Sequence, residues 1–315
     1  MKPQSANSPF ATVRHRHTDL DGIDVFYREA GRPDAPAILL PHGYPCSSFQ
    51  FRNFLPALAD RYHLVAPDFP GFGYTDTPDG FSYSFDGYAE FLDRFATSLN
   101  LSRYALYLHD YGSQIGLRLA IKHPDRVVAL IVQNGDIYKD VLGPKYEFLL
   151  EYFANRTAGR RAKLMDAVSE SGFRDEFLND VRPNLAQLIS PDLWTLSWSL
   201  MDTPKRREIS VSLMEGLEEN LGWFPRYQAY LRAHRPPMLI AWGPQDGYMP
   251  EKSARAYLRE LPEAEFHLLD GGHWALETNL DEIVALTSDF LGRVYGAEGE
   301  GDRRRRESAY SAILV

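Results

Sequence analysis

The stretch Ala105-Leu106-Tyr107-Leu108-His109-Asp110-Tyr111-Gly112-Ser113-Gln114-Ile115-Gly116 constrains this chain more than any other. An apolar run with strand character breaks at His109-Asp110-Tyr111-Gly112. A helical pattern then carries Leu117, Leu119, Ala120 and Ile121 as far as Pro124. Strand, sharp turn, helix is the setting in which a turn residue is held up as a nucleophile at the rim of a sheet. Here that residue is Asp110. A serine in such a turn attacks acyl carbons. A carboxylate can instead displace a leaving group from a saturated carbon and become an ester itself.

The rest of the chain supplies a sheet to carry that turn. Thr12–Leu20 and Ile23–Glu29 read as strands around Asp21-Gly22, a hairpin signal. Ala37–Leu40 and His63–Ala66 read as short buried strands, and Val127–Gln133 as a longer one. Helical spacing covers Phe49–Leu58 and Ser84–Leu99. From about Asp136 to His234 the pattern is helical throughout, with segments at Tyr146–Phe153, Arg160–Ser169, Pro191–Met201 and Glu208–Asn220. Strands return at Met238–Trp242 and Glu265–Leu269, with helices at Lys252–Leu261 and Leu280–Val294. Alternating strands and helices predict an α/β fold: a mostly parallel twisted sheet flanked by helices. Residues 1–136 and 235–296 are expected to form this core, and 137–234 an inserted helical cap over the carboxyl ends of the strands. Residues 297–315, with Arg303–Arg306 in a row, are expected to be a disordered tail. With 315 residues, 44% of them hydrophobic, the chain can bury such a core and a smaller insertion.

The same composition limits partners. A net charge of -9 does not suggest nucleic-acid binding. No apolar run reaches the roughly 20 residues of a membrane span. Met1 to Pro9 is polar and reads as a loose terminus, not a leader. Cys46 is the single cysteine, so no internal disulfide can form. A cytoplasmic monomer or homodimer acting on a small molecule is the expectation.

Two further residues complete a relay with Asp110. Asp246 follows a strand in Trp242-Gly243-Pro244-Gln245-Asp246, and His273 follows the next in Gly271-Gly272-His273-Trp274. His273 must take a proton from water, so one ring nitrogen must stay free. Asp246 would hold the other, fixing the tautomer and stabilising the imidazolium. All three fall at strand-to-loop exits, where open α/β sheets place their sites. His42-Gly43-Tyr44-Pro45 also follows a strand. The backbone N–H groups of Tyr44 and Tyr111 would form an oxyanion hole for charge that develops on the Asp110 carboxyl when water attacks its ester. Competing uses are milder. Asp110 could cap a helix, and Asp246 could sit in an ordinary Asp-Gly turn. His42 and His109 read as structural histidines. Gly71-x-Gly73 lacks the third glycine of a dinucleotide loop.

His42-Gly43-Tyr44-Pro45, Asp68-x-x-Gly71-x-Gly73, His109-Asp110-Tyr111-Gly112, Asp246 and Gly272-His273, in that order, resemble the Asp-nucleophile branch of the α/β-hydrolase superfamily. This branch comprises the epoxide hydrolases and haloalkane dehalogenases. The resemblance runs from about Thr12 to Val294. It implies an α/β-hydrolase fold with a helical cap, and catalysis through side chains with water as co-substrate and no metal or organic cofactor. Some members carry the relay acid after the strand that follows the elbow helix. Here that slot holds Asn134, with Asp136 nearby as a reserve, so the resemblance favours Asp246.

The resemblance also bears on the leaving group. Dehalogenases of this kind hold halide with N–H donors, usually including a tryptophan directly after the nucleophile, where this chain has Tyr111. Tyr44 after His-Gly matches the aromatic residue of epoxide hydrolases. Those enzymes protonate the epoxide oxygen with cap tyrosines, a task suited to a neutral phenol. The cap holds Tyr138, Tyr146, Tyr152, Tyr227 and Tyr230. Tyr152 lies roughly where the first family tyrosine falls; Val211–Glu215, the second place, contains no tyrosine, and Tyr227 or Tyr230 would substitute from the next segment. Trp194 and Trp198, one helical turn apart, are candidates either for the pocket wall or for plain packing. The expected activity is epoxide hydrolysis to a diol on an apolar or aromatic substrate. Hydrolytic dehalogenation comes second, and a ligand-binding protein without turnover third.

Overall fold

The computed structural model describes residues 12–178, 181–201 and 203–313, and side chains as far as Ala297. The terminus read as loose, residues 1–9, lies outside them. Eight strands form one sheet: β1 Arg14–Leu20, β2 Ile23–Ala30, β3 Ala37–Leu39, β4 His63–Pro67, β5 Tyr104–His109, β6 Val127–Gln133, β7 Met238–Trp242 and β8 Glu265–Leu268, in the order β1-β2-β4-β3-β5-β6-β7-β8. Asp21 and Gly22 both take positive φ, which closes the β1–β2 hairpin. β2 pairs antiparallel with β1 and β4, and every later pairing is parallel. β5 and β6 are buried at every position, because helices cover both faces of a parallel sheet. β1 is an edge strand, and its exposed Arg and His side chains suit that place.

The helices are α1 Phe54–Leu58, α2 Phe85–Ser98, α3 Asp110–Lys122, α4 Tyr146–Ala154, α5 Ala158–Ala167, α6 Glu170–Leu178, α7 Pro183–Ala186, α8 Asp192–Ser199, α9 Pro204–His234, α10 Glu251–Ala256, α11 Ala275–Thr278 and α12 Leu280–Ile313. Between β6 and β7 the described chain contains no strand, so α4 to α9 form a helical insertion at the carboxyl ends of the strands. Arg118 of α3 ties it down: the buried guanidinium donates to Asp86 of α2 (2.7 Å) and to Asn220 of α9 (2.7 Å).

Several elements depart from the sequence expectation. The single helix expected over Phe49–Leu58 is a 3-10 turn, Ser48–Phe51, followed by α1. Pro56 has no N–H to donate, so it fits only a first helical turn, where donors have no partner anyway. α9 runs well past Asn220 and contains Pro225, which reads locally as a breaker. Its apolar face, from Ile209 to Leu231, is buried, and that packing outweighs one lost hydrogen bond. α6 falls between the helical segments expected at Arg160–Ser169 and Pro191–Met201. The Ser169 hydroxyl accepts from Gly172 N–H (3.1 Å) and starts the helix. Past Gly296, where the sequence suggests a loose end, the backbone continues α12 to Ile313. Alanine, glutamate and arginine are strong helix formers there.

Candidate active site

Because β3, β5, β6, β7 and β8 run parallel, their carboxyl ends open on one side of the sheet. The loop after β5 is the elbow. Asp110 has φ +49°, a strained value for a residue with a side chain. The surroundings enforce it. Asp110 N–H donates to Asn134 C=O (2.9 Å), and Ser113 Oγ donates to Asp110 C=O (2.7 Å). Two glycines let the backbone close in. A Cβ on Gly43 would sit 2.7 Å from Asp110 Cβ, and one on Gly112 would sit 2.2 Å from the Pro41 carbonyl oxygen. The carboxylate thus stands at the first turn of α3, beside the backbone N–H groups that open the helix.

The relay expected from the sequence is assembled. His273 Nδ1 lies 2.7 Å from Asp246 Oδ2, and Nε2 faces Asp110 Oδ2 at 3.6 Å. Tyr44 N–H donates to Asp110 Oδ1 (2.6 Å), as the oxyanion-hole reading requires. The Tyr111 amide belongs to the first turn of α3, next to the carboxylate it is expected to serve. Asp246 Oδ1 accepts from Tyr248 N–H (2.8 Å) and Met249 N–H (3.0 Å). Asn134 Nδ2 donates to Asp246 Oδ2 (2.7 Å) and to Gly243 C=O (2.9 Å). Asn134 therefore brackets Asp246 from the end of β6. Asp136, the reserve, is 1% exposed and makes no hydrogen bond to His273.

Electrostatics follow from this packing. Burial alone would drive the proton off His273, but Asp246 and Asp110 outweigh it and hold the ring well above the usual imidazole range. Burial also opposes charge on Asp246. The His273 ring, the two amides and Asn134 prevail, and that carboxyl stays below the ordinary range. His109 is different. Burial and the charge on His273 push it down to about 3, so it is neutral. Its Nε2 lies 2.9 Å from the His273 carbonyl, which also accepts from Gln133 (3.0 Å). His42 is likewise buried and pushed down, and its Nε2 accepts from Phe69 N–H (3.1 Å). Both are structural, as the sequence suggested. Asp68 is also structural, accepting from Ser48 N–H (2.8 Å) and Tyr74 N–H (2.8 Å).

A cavity of about 270 Å³ opens over Asp110. Tyr44, Tyr111, Tyr146 and Tyr248 line it, with Phe148, Phe173, Met214 and Leu217, and with Lys145, Lys163 and Glu176. The Tyr44 and Tyr111 rings stack at 5.4 Å, and Tyr146 stands edge-on to Tyr248 at 5.5 Å.

The four cap residues singled out from the sequence do not line this cavity. Tyr152 gives its hydroxyl to Glu215. It follows Tyr146 by six residues on α4, roughly 9 Å along the axis, too far to reach the same point. Tyr227 is locked between α9 and α3, where Arg118 donates to it and it donates to Asn220 (2.9 Å). Trp198 packs edge-on behind Phe173 (5.9 Å), under the Arg207 guanidinium. Trp194 lines a separate shallow hollow with Glu170, Ser171, Arg174 and Asp175. Phe173 and Glu176 went unrecognised because α6 did. The Ser169 cap and the Phe173/Phe177 pair at i, i+4 were the available signals.

The chain matches the model of the alpha/beta hydrolase fold over residues 36–280. It belongs to that family. The "uncharacterized hydrolase YNR064C" of Saccharomyces cerevisiae is 33% identical over 282 residues, 88% of this chain and 95% of that protein. "Haloalkane dehalogenase 2" of Mycobacterium tuberculosis is 40% identical over 99 residues, 31% of this chain and 35% of that protein. Among solved structures, a loop variant of haloalkane dehalogenase DbeA from Bradyrhizobium elkanii superposes with a TM-score of 0.76 over 91% of this chain and 99% of that one. At 24% identity that likeness speaks for the fold of this hydrolase family member.

Proposed function

We propose that the protein hydrolyses epoxides to diols through an ester on Asp110. The observation that carries this is the pairing of a buried, backbone-held carboxylate with a cavity walled by phenols, with no tryptophan among its lining residues. Asp110 Oδ2 attacks one ring carbon, since Oδ1 is engaged by Tyr44 N–H. Tyr146 protonates the departing ring oxygen. It replaces Tyr152 and Tyr227 in that role, because it is the cap-region tyrosine of those expected that lines the cavity. The ester removes one of the two negative charges that hold the proton on His273. The ring then becomes available as a base, with Asp246 on its other nitrogen. Water activated by His273 attacks the ester carbon. The oxyanion forms on Oδ1, where the Tyr44 and Tyr111 amides meet it. The proton taken up by His273 returns to the Tyr146 phenolate, the diol leaves and Asp110 is restored.

The test is direct. His273→Gln is incubated with styrene oxide and examined by intact mass. An adduct of one epoxide on Asp110, and diol from the unaltered protein, are the expected results. No adduct and no diol would overturn the reading. Hydrolytic dehalogenation is the second reading, favoured by the mycobacterial relative's name and served by the same carboxylate. Bromide release from a bromoalkane, without diol from the epoxide, would put it first.

A further inference from the structure

Gln50 sits behind the floor of the cavity, in the 3-10 turn Ser48–Phe51, with its side chain buried. Gln50 N–H donates to Ser47 C=O (3.0 Å), which fixes the base of that side chain. The amide at its end reaches two parts of the site. Oε1 accepts from Gly43 N–H (2.8 Å), and Nε2 lies 3.3 Å from His109 Nδ1. Gly43 N–H can only donate, so the amide oxygen faces it and the NH2 faces the ring. His109 Nδ1 is therefore an acceptor. The ring proton sits on Nε2 and is donated to His273 C=O (2.9 Å). An imidazolium would set Nδ1–H against the Gln50 NH2, and burial already holds His109 neutral. The oxyanion peptide is clamped from its other side. Gly43 C=O accepts from Cys46 N–H (3.1 Å). It also accepts from His42 Nδ1–H (3.0 Å), because His42 Nε2 is the acceptor for Phe69 N–H. That carbonyl shares a peptide with Tyr44 N–H, the donor to Asp110 Oδ1. Gly43 and the ring are close-packed: a Cβ on Gly43 would lie 2.9 Å from His109 Nδ1.

We propose that Gln50 positions both groups that act on the ester: through Gly43 it holds the peptide whose Tyr44 N–H faces Asp110, and through the His109 ring it holds the backbone of His273. This rests on the Asp110 ester reading and adds a positioning residue to it. Both consequences fall on the second half of the cycle. When water attacks the ester carbon, its proton goes to His273 Nε2 and the carbonyl electron pair moves to Oδ1. Tyr44 N–H then meets a charge that was absent from the ester, so its aim decides how far the barrier falls. In the first half the same N–H rests on a carboxylate whose charge is being spent, and His273 is not called on. Gln50 thus has little to do there.

Two measurements on the full chain decide it. In nitrogen NMR of the histidines, His109 of the unaltered protein should stay neutral between about pH 5 and 8, with its proton on Nε2. Gln50→Met, which keeps the volume but has no amide, should move the Nδ1 resonance to that of an unbonded ring nitrogen. Ester formation and ester hydrolysis are then timed with styrene oxide by rapid-quench intact mass. In Gln50→Met, hydrolysis should slow roughly tenfold, while formation stays within about threefold and the concentration of half-saturation barely moves. Where Gln50→Met does not fold, His109→Phe cuts the same chain of bonds at its next link and should give the same split. A proton on His109 Nδ1, an Nδ1 resonance indifferent to Gln50→Met, unchanged hydrolysis, or equal losses in both half-reactions would overturn the inference. Absence of any ester sinks the Asp110 reading instead, and the His109 tautomer still judges this one.

Discussion

On the floor of the cavity, Asp110, Asp246 and His273 are gripped by backbone groups. In the cap, Tyr146, Phe173 and Met214 are held mainly by their packing against neighbours. Asp110 receives one amide and sits at a forced φ, Asp246 receives two amides, and the His273 carbonyl accepts two side-chain donors. Each of these bonds is directional and anchored to a strand end, so the geometry is set before any ligand arrives. Apart from Lys145, Lys163 and Glu176, the cap wall is mainly apolar contact, which is non-directional and tolerates exchange of similar volumes. Chemistry is therefore assigned to the floor and selectivity to the cap. Substitutions on the floor should act on rate, and those in the cap on which substrate is accepted, with Tyr146 as the exception because the proposed acid reaches down from the cap.

The largest effect tests the floor. Asp110→Ala should lower turnover on the order of 10⁴-fold or more and abolish the mass adduct, because no other group on the floor can form the ester. Full activity in that variant would dissolve the distinction between floor and cap. His273→Gln should lower turnover by roughly 10² to 10⁴ while the ester accumulates, since attack on the epoxide does not need the base but release does. The same half-reaction carries a pH signature. In the proposed cycle, hydrolysis of the ester needs neutral His273, so its single-turnover rate should rise with pH and then level. Asp246 holds the proton on the ring. Asp246→Asn should therefore shift the rise to lower pH while lowering the plateau, the loss from an unfixed tautomer. A midpoint that moves upward would contradict the charge assignment.

The floor was legible in the sequence because each part depends on local backbone chemistry. A strand-turn-helix puncture, two glycines admitted only where chains touch, and a histidine just past a strand all leave marks at fixed spacings. The cap left weaker marks. Tyr146 and Tyr152 are both buried tyrosines on α4, and nothing within that helix says which one meets the cavity. Tyr152 is claimed by Glu215, 63 residues away in sequence. α6 was hidden for a related reason: Gly172 lowers its helix propensity, while the contact of Phe173 with Tyr44 (6.0 Å), which only the folded chain supplies, helps hold it in place. Asn134 carried a positive clue that its chemistry obscured. It is no acid, yet it occupies the acid's slot and holds the acid that replaces it.

Intermediate effects separate the cap tyrosines. Tyr146→Phe should slow ester formation by about 10²-fold and leave hydrolysis of a preformed ester nearly unchanged, because the acid is needed only while the ring opens. Tyr152→Phe should change either step by less than about twofold, its hydroxyl being committed to Glu215. A reversal, with Tyr152 carrying the larger loss, would return the acid to the position that family resemblance suggests.

The smallest kinetic effect should come from Tyr227→Phe, and its interest lies in a different readout. This phenol stands between Arg118 and Asn220 at the seam where α9 meets α3, with both partners buried. Removing the hydroxyl leaves the Arg118 guanidinium with Asp86 and Asn220 but strips away one acceptor, a loss of about 1 to 3 kcal/mol. For a chain of this length that corresponds to a fall in Tm of a few degrees. Thermal unfolding should therefore register the change, while ester formation and ester hydrolysis stay within about twofold. If instead the rates fell and Tm held, Tyr227 would have to reach the substrate after all. The seam would then belong to the active site, and the division between a floor that reacts and a cap that selects would fail at its anchoring point.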